Sequence, residues 1–230
     1  MKICLAQFRS TDDVEDNLRR HVEVARRAVA EACSVVLFPE LSLTGYWPSR
    51  AATHAVRSDS PRLQPLLDAA SELDVTIAAG APLQTPAGIQ IGMFILRPNR
   101  EVAVYGKQRL HADERPFFVP GKAEHQLRVG CHRIAPAICY ESLFASHAEA
   151  AVQRGANVYA ASVAKPSSAI ARAHTHYRDL AARHAIPVVV ANAVGPYEDL
   201  VGAGRSAAWA PGGELLGELG GDEGVLIVDV

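Results

Sequence analysis

The chain of 230 residues is 49% hydrophobic, and 23 basic residues against 25 acidic ones leave a formal net charge of −2. This length and apolar content predict one large-core domain over residues 1–230 and exclude an intrinsically disordered chain. Because the charges nearly balance and no basic run is longer than a pair, the sequence predicts no binding to nucleic acid or to an anionic membrane surface.

The pattern of apolar runs and the cysteine usage predict a cytoplasmic protein. No apolar stretch approaches the ~18 residues that a membrane span requires. The strand-like pattern starts at Lys2, so we expect no signal peptide. Four cysteines in a chain of this size do not indicate a disulfide scaffold. In a reducing compartment a cysteine of this chain would stay free to react.

Apolar runs predict strands along the whole chain, at 2–9, 35–38, 76–79, 89–97, 101–107, 133–139, 158–161, 188–191, 207–210, 214–216 and 225–230. Four helices are predicted between them: after a capping box of Asp12 and Glu15, from Ser60 to about residue 73, over 142–154 and over 169–184. Pro136 predicts that its strand lies at a sheet edge or contains a bulge. Helix-linked and hairpin-linked strands together favour an α/β (α+β) fold of sheets packed face to face with helices outside.

Three of the apolar runs end on a residue type that hydrolysis of a carbon–nitrogen bond requires. They end at Glu40, Lys107 and Cys139. A thiol attacks an acyl or nitrile carbon, a carboxylate moves its proton, and an ammonium group holds the negative charge that develops. Folded scaffolds often place such groups where a strand meets a loop. The three positions therefore indicate a hydrolytic site.

Cys139 also has a plain interpretation, since a buried cysteine is more often a small hydrophobic residue than a nucleophile. The short step from its strand to the next helix nevertheless favours a nucleophile elbow. In that geometry the backbone N–H of Tyr140 would donate to an oxyanion. Cys131 and His132, taken with Cys139, offer zinc-type ligands, but no second Cys/His pair has the spacing of a structural zinc site. No metal is predicted.

The charged candidates have alternatives too. A glutamate directly after a buried strand, such as Glu40, must be solvated or paired, and Lys107 could simply be a solvated strand end. Glu114 lies in an apolar loop over 110–121. It could orient Lys107 or the substrate, or form a salt bridge with Arg115.

Taken together, these motifs resemble those of the nitrilase superfamily of carbon–nitrogen hydrolases, over nearly the whole chain. LFPELSLTGY at 37–46 is similar to the family's catalytic glutamate motif, and ICYE at 138–141 to its nucleophile motif. YGK at 105–107, continued to PG at 120–121, is similar to the lysine motif, with Glu114 at the position of the second glutamate. The family's closing strands are matched by VVVANAVG at 188–195, GRS at 204–206 and PGG at 211–213.

The resemblance implies an α-β-β-α sandwich that forms a homodimer or a larger homo-oligomer. It also implies that Cys139 attacks an amide with Glu40 as base, while Lys107 and the Tyr140 N–H hold the oxyanion and Glu114 positions the substrate. Water then releases the acid from a thioester, and no metal or organic cofactor takes part. Nitrile hydrolysis by the same residues and a non-catalytic binding module on the same fold remain as alternatives.

Aromatic residues next to these motifs predict the walls of a pocket. They are Tyr46, Trp47, Phe117 and Tyr140, with His176 as a polar contact. Such walls favour a small or medium-sized amide whose far end is apolar or weakly polar.

Overall fold

Two six-stranded sheets form the centre of the computed structural model, which describes residues 1–122 and 126–230. The strands are β1 (Lys2–Gln7), β2 (Val35–Leu37), β3 (Thr76–Thr85), β4 (Gly88–Leu96), β5 (Val102–Gly106), β6 (Leu127–Val129), β7 (His132–Ile138), β8 (Val158–Val163), β9 (Val188–Asn192), β10 (Val194–Pro196), β11 (Val201–Ala203), β12 (Ala207–Trp209), β13 (Leu215–Glu218) and β14 (Gly224–Asp229). The helices are α1 (Val14–Ala30), α2 (Ala51–His54), α3 (Gln64–Glu72), α4 (Ala145–Gln153) and α5 (Ser167–His184).

The first sheet has the strand order β14-β1-β2-β3-β4-β5. Strands β1, β2 and β3 run parallel, and β4 and β5 follow as antiparallel hairpin strands. As a result β2 and β5 run in the same direction, and their carboxyl ends meet at one edge of the sheet. Glu40 follows β2 and Lys107 follows β5, so the topology brings the predicted carboxylate and ammonium together.

The second sheet has the order β13-β12-β9-β8-β7-β6, with β7, β8 and β9 parallel. Their carboxyl ends lead to Cys139, to Lys165 and to Asn192. A hydrogen bond of 2.7 Å from the Ser162 hydroxyl to the carbonyl oxygen of Phe38 ties this edge to the corresponding edge of the first sheet.

Three apolar clusters show how the layers are held. One lies between the sheets and includes Leu5, Ile134 and Val189. A second packs the first sheet against α1 and α3, and a third packs the second sheet against α4 and α5. Alternate residues of a strand point to opposite faces, so a strand buried on both faces needs apolar residues throughout. This arrangement is the predicted α-β-β-α sandwich.

Some local predictions need correction. The strand containing Pro136 is not at the sheet edge, because β6 pairs with β7 on its outer side. That pairing ends at Ile134, however, so Pro136 lies beyond the short outer strand. The cap of α1 is Asp13 rather than Asp12, since the Asp13 carboxylate accepts hydrogen bonds from the first turn. Within residues 1–122 and 126–230, none of the helices is long and apolar enough to cross a membrane.

Candidate active site

The structure brings Glu40, Lys107 and Glu114 into direct contact. The Lys107 ammonium donates to Glu40 Oε1 at 2.7 Å and to Glu114 Oε1 at 2.6 Å. The Lys107 side chain is fully buried, and so are both carboxylates apart from a trace of Glu114. Buried charges are stable only when they are paired and hydrogen-bonded, which this arrangement achieves. Glu114 therefore pairs with Lys107, while Arg115 is exposed.

The loop that carries Glu40 is held close to the first sheet. Leu41, the next residue, has a left-handed backbone with φ of 53°. A Cβ atom on Gly80 of β3 would lie 2.4 Å from the backbone nitrogen of Leu41, which is closer than atoms can approach. Gly80 is thus required for the backbone of this loop to pack against β3 and to direct Glu40 into the site.

Cys139 occupies a strained turn between β7 and a 3₁₀ helix over Cys139–Leu143. Its φ is 43°, in the left-handed region that residues other than glycine rarely adopt. The side chain is partly exposed, and Sγ lies 3.9 Å from the carbonyl oxygen of Ala164 and 3.7 Å from Nζ of Lys165. This strand–turn–helix geometry is that of the predicted nucleophile elbow.

Glu141 joins the nucleophile turn to the segment after Lys107. Its Oε1 accepts from the Ile138 N–H at 2.7 Å and from the Tyr105 hydroxyl at 2.7 Å. Its Oε2 accepts from the backbone N–H groups of Gln108 and Arg109. One buried carboxylate thus fixes the relative position of the strand ends that carry Cys139 and Lys107.

The second oxygen of Glu40 is available for chemistry. Oε2 is buried and has no hydrogen-bond partner among the described residues, whereas Oε1 holds Lys107. Burial raises the pKa of Glu40 to about 7, although Lys107 and Cys139 lower it in part. A carboxylate with a pKa in this range is well matched to accepting and returning a proton at neutral pH.

The other two groups have shifted pKa values as well. Burial and the nearby Glu40 raise the pKa of Cys139 to about 11, against the lowering effect of Lys165 and Lys107. Burial lowers the pKa of Lys107, but Glu40, Cys139 and Glu114 outweigh it and the net pKa is above the usual value. Near neutral pH the resting site therefore holds a thiol and an ammonium group.

The residues predicted to line a pocket occupy different surroundings. The Tyr46 hydroxyl donates to Glu114 Oε1 at 2.8 Å, so Tyr46 belongs to the charged cluster. Trp47 packs edge-on against Tyr197, and Phe117 is 42% exposed. The fourth aromatic, Tyr140, contacts Phe144 and His111. Finally, Nε2 of His176 lies 3.1 Å from the carbonyl oxygen of Ser142, which ties α5 to the nucleophile turn.

Sequence reasoning did not select Lys165 and Glu141. Lys165 lies two residues after a buried strand, the same signal that selected Lys107. Glu141 has the pattern of an ordinary first-turn residue, and the sequence leaves open whether it has a further role. The sequence around Cys131 predicts a core-like run, and this prediction is wrong, because Cys131 is exposed. Its Sγ lies 3.6 Å from Nδ1 of His132. Over 1–122 and 126–230 no group of three or more His, Cys, Asp or Glu side chains is placed to hold a metal ion.

Comparisons with known proteins identify the family to which this chain belongs. The carbon-nitrogen hydrolase family profile matches residues 2–230. An (R)-stereoselective amidase from Pseudomonas sp is 28% identical over 228 residues, covering 97% of this chain and 82% of the relative. A glutamine-dependent NAD(+) synthetase from Thermotoga maritima is 27% identical over 146 residues, 60% of this chain. That alignment spans only 25% of the synthetase.

Among solved structures, the amidase from Nesterenkonia sp. AN1, of the nitrilase superfamily, superposes with a TM-score of 0.91 at 28% sequence identity. The match covers 100% of this chain and 90% of that one. A cysteine-to-alanine mutant of that amidase has been solved in complex with butyramide. A glutamate-to-glutamine mutant carries the acetamide moiety of fluoroacetamide on its active-site cysteine. With the family profile extending over nearly its whole length, the chain belongs to the carbon–nitrogen hydrolase family and is a carbon–nitrogen hydrolase of the nitrilase superfamily.

Proposed function

We propose that this hydrolase converts a small-molecule amide to a carboxylic acid and ammonia or an amine, through a thioester on Cys139. One observation carries the proposal. The buried Glu40 has no hydrogen-bond partner for Oε2 among the described residues while Lys107 holds Oε1, and the Cys139 thiol, on a strained turn, is close enough to interact electrostatically with Glu40. A proton acceptor, a cation and a thiol thus face one small volume, as acyl transfer requires.

In the acylation step, Glu40 Oε2 takes the thiol proton as sulfur forms a bond to the amide carbon. The carbonyl electron pair moves onto oxygen, and the oxyanion is stabilised by the Lys107 ammonium and the Tyr140 N–H. Because Tyr140 lies in the first turn of the 3₁₀ helix, its N–H has no acceptor within that helix. Glu40 then returns the proton to the leaving nitrogen, and the carbon–nitrogen bond breaks.

In the deacylation step, Glu40 takes a proton from water, which attacks the thioester carbon. The carbon–sulfur bond breaks, the acid leaves, and the proton returns to sulfur. Glu114 supports both steps, because it shares the Lys107 ammonium with Glu40 and also accepts from Tyr46 and from the His111 N–H. It thereby holds Lys107 in position and balances its charge.

An amide is favoured over a nitrile by the proteins that this chain resembles. One is an (R)-stereoselective amidase, and another is an amidase solved with butyramide and with acrylamide. We expect Trp47, Phe117 and Tyr140, which neighbour the catalytic motifs in the sequence, to contribute aromatic pocket surface, and this would suit an amide with an apolar or weakly polar far end. His176, whose Nε2 lies 3.1 Å from the Ser142 carbonyl oxygen, is expected to add a polar contact from α5.

We also propose that the protein acts as a homodimer in the cytoplasm. Its four cysteines are free, which suits a reducing compartment. Exposed apolar side chains on the second-sheet half, among them Leu143, Leu215 and Leu216, provide surface that pairing would cover. Light scattering on the purified protein tests the dimer, and a monomer at micromolar concentration would exclude it.

The reaction is tested by measuring ammonia release across matched amides and nitriles of two to five carbons. We expect release from at least one aliphatic amide and much slower release from the nitrile of the same acyl chain. Cys139→Ala should release none above background. Turnover of nitriles alone, or turnover that persists in Cys139→Ala, would refute the proposal.

A further inference from the structure

A second buried lysine, Lys165, lies against the thiol. It follows β8, is only 4% exposed, and its Nζ is 3.7 Å from Sγ of Cys139. Asn192 holds its backbone, because Oδ1 accepts the Lys165 N–H at 2.8 Å and Nδ2 donates to the Lys165 carbonyl at 3.2 Å. By contrast, Lys2 and Lys122 are exposed.

The charges of the site show why a second cation matters there. Lys107 is shared by Glu40 and Glu114, so these three side chains together carry one net negative charge. A thiolate added to such a group would be repelled, and a buried excess of charge is costly. With Lys165 included, the group consists of two ammonium groups and two carboxylates, those of Lys107, Lys165, Glu40 and Glu114. Moving a proton from the thiol to Glu40 leaves that balance unchanged.

We propose that Lys165 is a further catalytic residue, whose ammonium group stabilises the Cys139 thiolate as the thiol proton passes to Glu40. The inference rests on the proposed function, since it takes Cys139 as the nucleophile. The sulfur–hydrogen bond breaks, its proton bonds to Glu40 Oε2, and sulfur keeps the electron pair that then bonds the acyl carbon. Lys107 then stabilises the oxyanion, and Lys165 stabilises the thiolate.

The electrostatics around both groups support this assignment. Burial and Glu40 raise the pKa of Cys139, and Lys165 opposes them more strongly than Lys107 does. Burial lowers the pKa of Lys165, but Cys139, Tyr177 of α5 and Glu40 more than compensate, even against Lys107, so Lys165 remains protonated. These neighbours of Lys165 belong to different parts of the fold, since Tyr177 lies on α5, Glu40 follows β2 and Lys107 follows β5.

The test measures thiolate formation without turnover. In a Cys131→Ser background, which removes the exposed thiol, Cys139 is labelled with methyl methanethiosulfonate at fixed pH and located by peptide mass mapping. Lys165→Met should slow labelling about 10-fold or more, because loss of an opposite charge at this range raises a thiol pKa by about one or more. Turnover of a neutral amide should fall in parallel. The exposed Lys122→Met serves as the matched control and should change neither rate.

Lys165→Arg keeps the charge and is expected to retain most of the labelling rate, with thermal unfolding recorded for each variant. Unchanged labelling in Lys165→Met would overturn the inference. If labelling of Lys165→Met were unchanged and its turnover fell only for amides whose acyl group carries a carboxylate, Lys165 would be a substrate-binding residue instead. Equal loss of labelling in the folded Met and Arg variants would also overturn it, since charge would not be the cause. Failure of the proposed function is distinct, because it would appear as turnover in Cys139→Ala.

Discussion

The edges of the two sheets contribute differently to the site. The first sheet supplies charges that are already paired with one another, since Lys107 holds Glu40 and Glu114 at 2.7 and 2.6 Å. The second sheet supplies a thiol on a strained turn, together with Lys165, whose Nζ lies 3.7 Å from the thiol sulfur. The first edge is therefore arranged to move a proton and to hold an oxyanion. The second edge is arranged to form a reactive sulfur.

Contacts made by Glu141 and Ser162 help to keep these edges in register, and they explain how separate sheets act as one site. Glu141, on the second sheet's nucleophile turn, binds the backbone that follows Lys107 on the first. Ser162 of β8 donates to the carbonyl oxygen of Phe38, two residues before Glu40. If the two edges form one site, a substitution that inactivates either edge should lower kcat/KM nearly as much as substitutions in both.

The largest effect is expected from Cys139→Ala, Glu40→Gln and Lys107→Met. Each should lower kcat/KM by ~10³-fold or more, since removal of a nucleophile, of a proton-transfer group or of an oxyanion-stabilising cation has effects of about this size. Groups that act as one unit are not additive, so double mutants combining the two edges should lose little more than the worse single mutant. Steady-state kinetics with circular dichroism as a folding control checks this. Losses that multiply across the two edges would contradict a shared site.

The dependence of kcat/KM on pH near neutrality should reflect the titration of Glu40, which belongs to the edge of the first sheet. Glu40 acts as a base only when ionised, and its pKa is raised to about 7. Below that pH, kcat/KM should fall about tenfold per pH unit, and above it the rate should stay level toward the thiol pKa of about 11. Burial lowers the pKa of His147 to about 4, so that residue does not produce the limb. His111→Asn, which removes the imidazole of a residue whose backbone N–H donates to Glu114, is the control. A limb that disappeared in this variant would show that Glu40 is not the titrating group.

A smaller effect is expected from breaking the connection between the edges. Glu141→Gln would place an amide N–H₂ against the N–H groups of Gln108 and Arg109 or of Ile138, leaving donors unpaired. We expect a loss of about 2 kcal/mol in the free energy of unfolding, as for a hydrogen bond to a charged group. In the same variant kcat should fall by a larger factor than that by which KM changes. Glu149→Gln on the exposed face of α4 is the matched control. Wild-type kinetics in a destabilised Glu141→Gln would limit Glu141 to a structural role.

The smallest effect concerns substrate choice. Trp47 packs against Tyr197 and lies under Arg50, and its Nε1 is buried without a hydrogen-bond partner. Trp47→Ala should change the ratio of kcat/KM between a short and a longer amide by about 10-fold, the size of a lost pocket contact. Trp47→Phe should restore much of the wild-type ratio. A uniform loss over all amides would show that Trp47 only supports its loop.

Much of the fold and the candidate site was predictable because strand ends are visible in a sequence. Glu40, Lys107 and Cys139 each follow an apolar run, and parallel strands of one sheet bring such ends together. Lys165 follows a run in the same way, but no recognised motif contains it, so nothing distinguished it from a solvated lysine. The role of Glu141 depends on backbone donors more than thirty positions away in the chain, which only the folded structure brings near.

The other differences between the predicted and the observed structure are local, at positions where the sequence allows two conformations of similar stability. Asp12 and Asp13 are both able to cap α1, and the folded chain uses Asp13. Pro136 correctly signals a missing donor, but the neighbouring strand β6 is so short that the proline lies past its end. The exposure of Cys131 depends on the turn between β6 and β7, which composition alone does not define.

The most direct test of the two-edge account uses Glu40→Gln in the Cys131→Ser background, incubated with p-nitrophenyl acetate. Loss of the Glu40 charge removes one of the causes that raise the pKa of Cys139, while Lys165 and Lys107 still lower it. The activated ester needs no proton for its leaving group, so acylation should proceed, but deacylation should stall without the base. Peptide mass mapping should then find one stable acetyl group on Cys139, whereas the protein with Glu40 intact turns the ester over. An acetyl group elsewhere, or turnover at the rate seen with Glu40 present, would contradict the account.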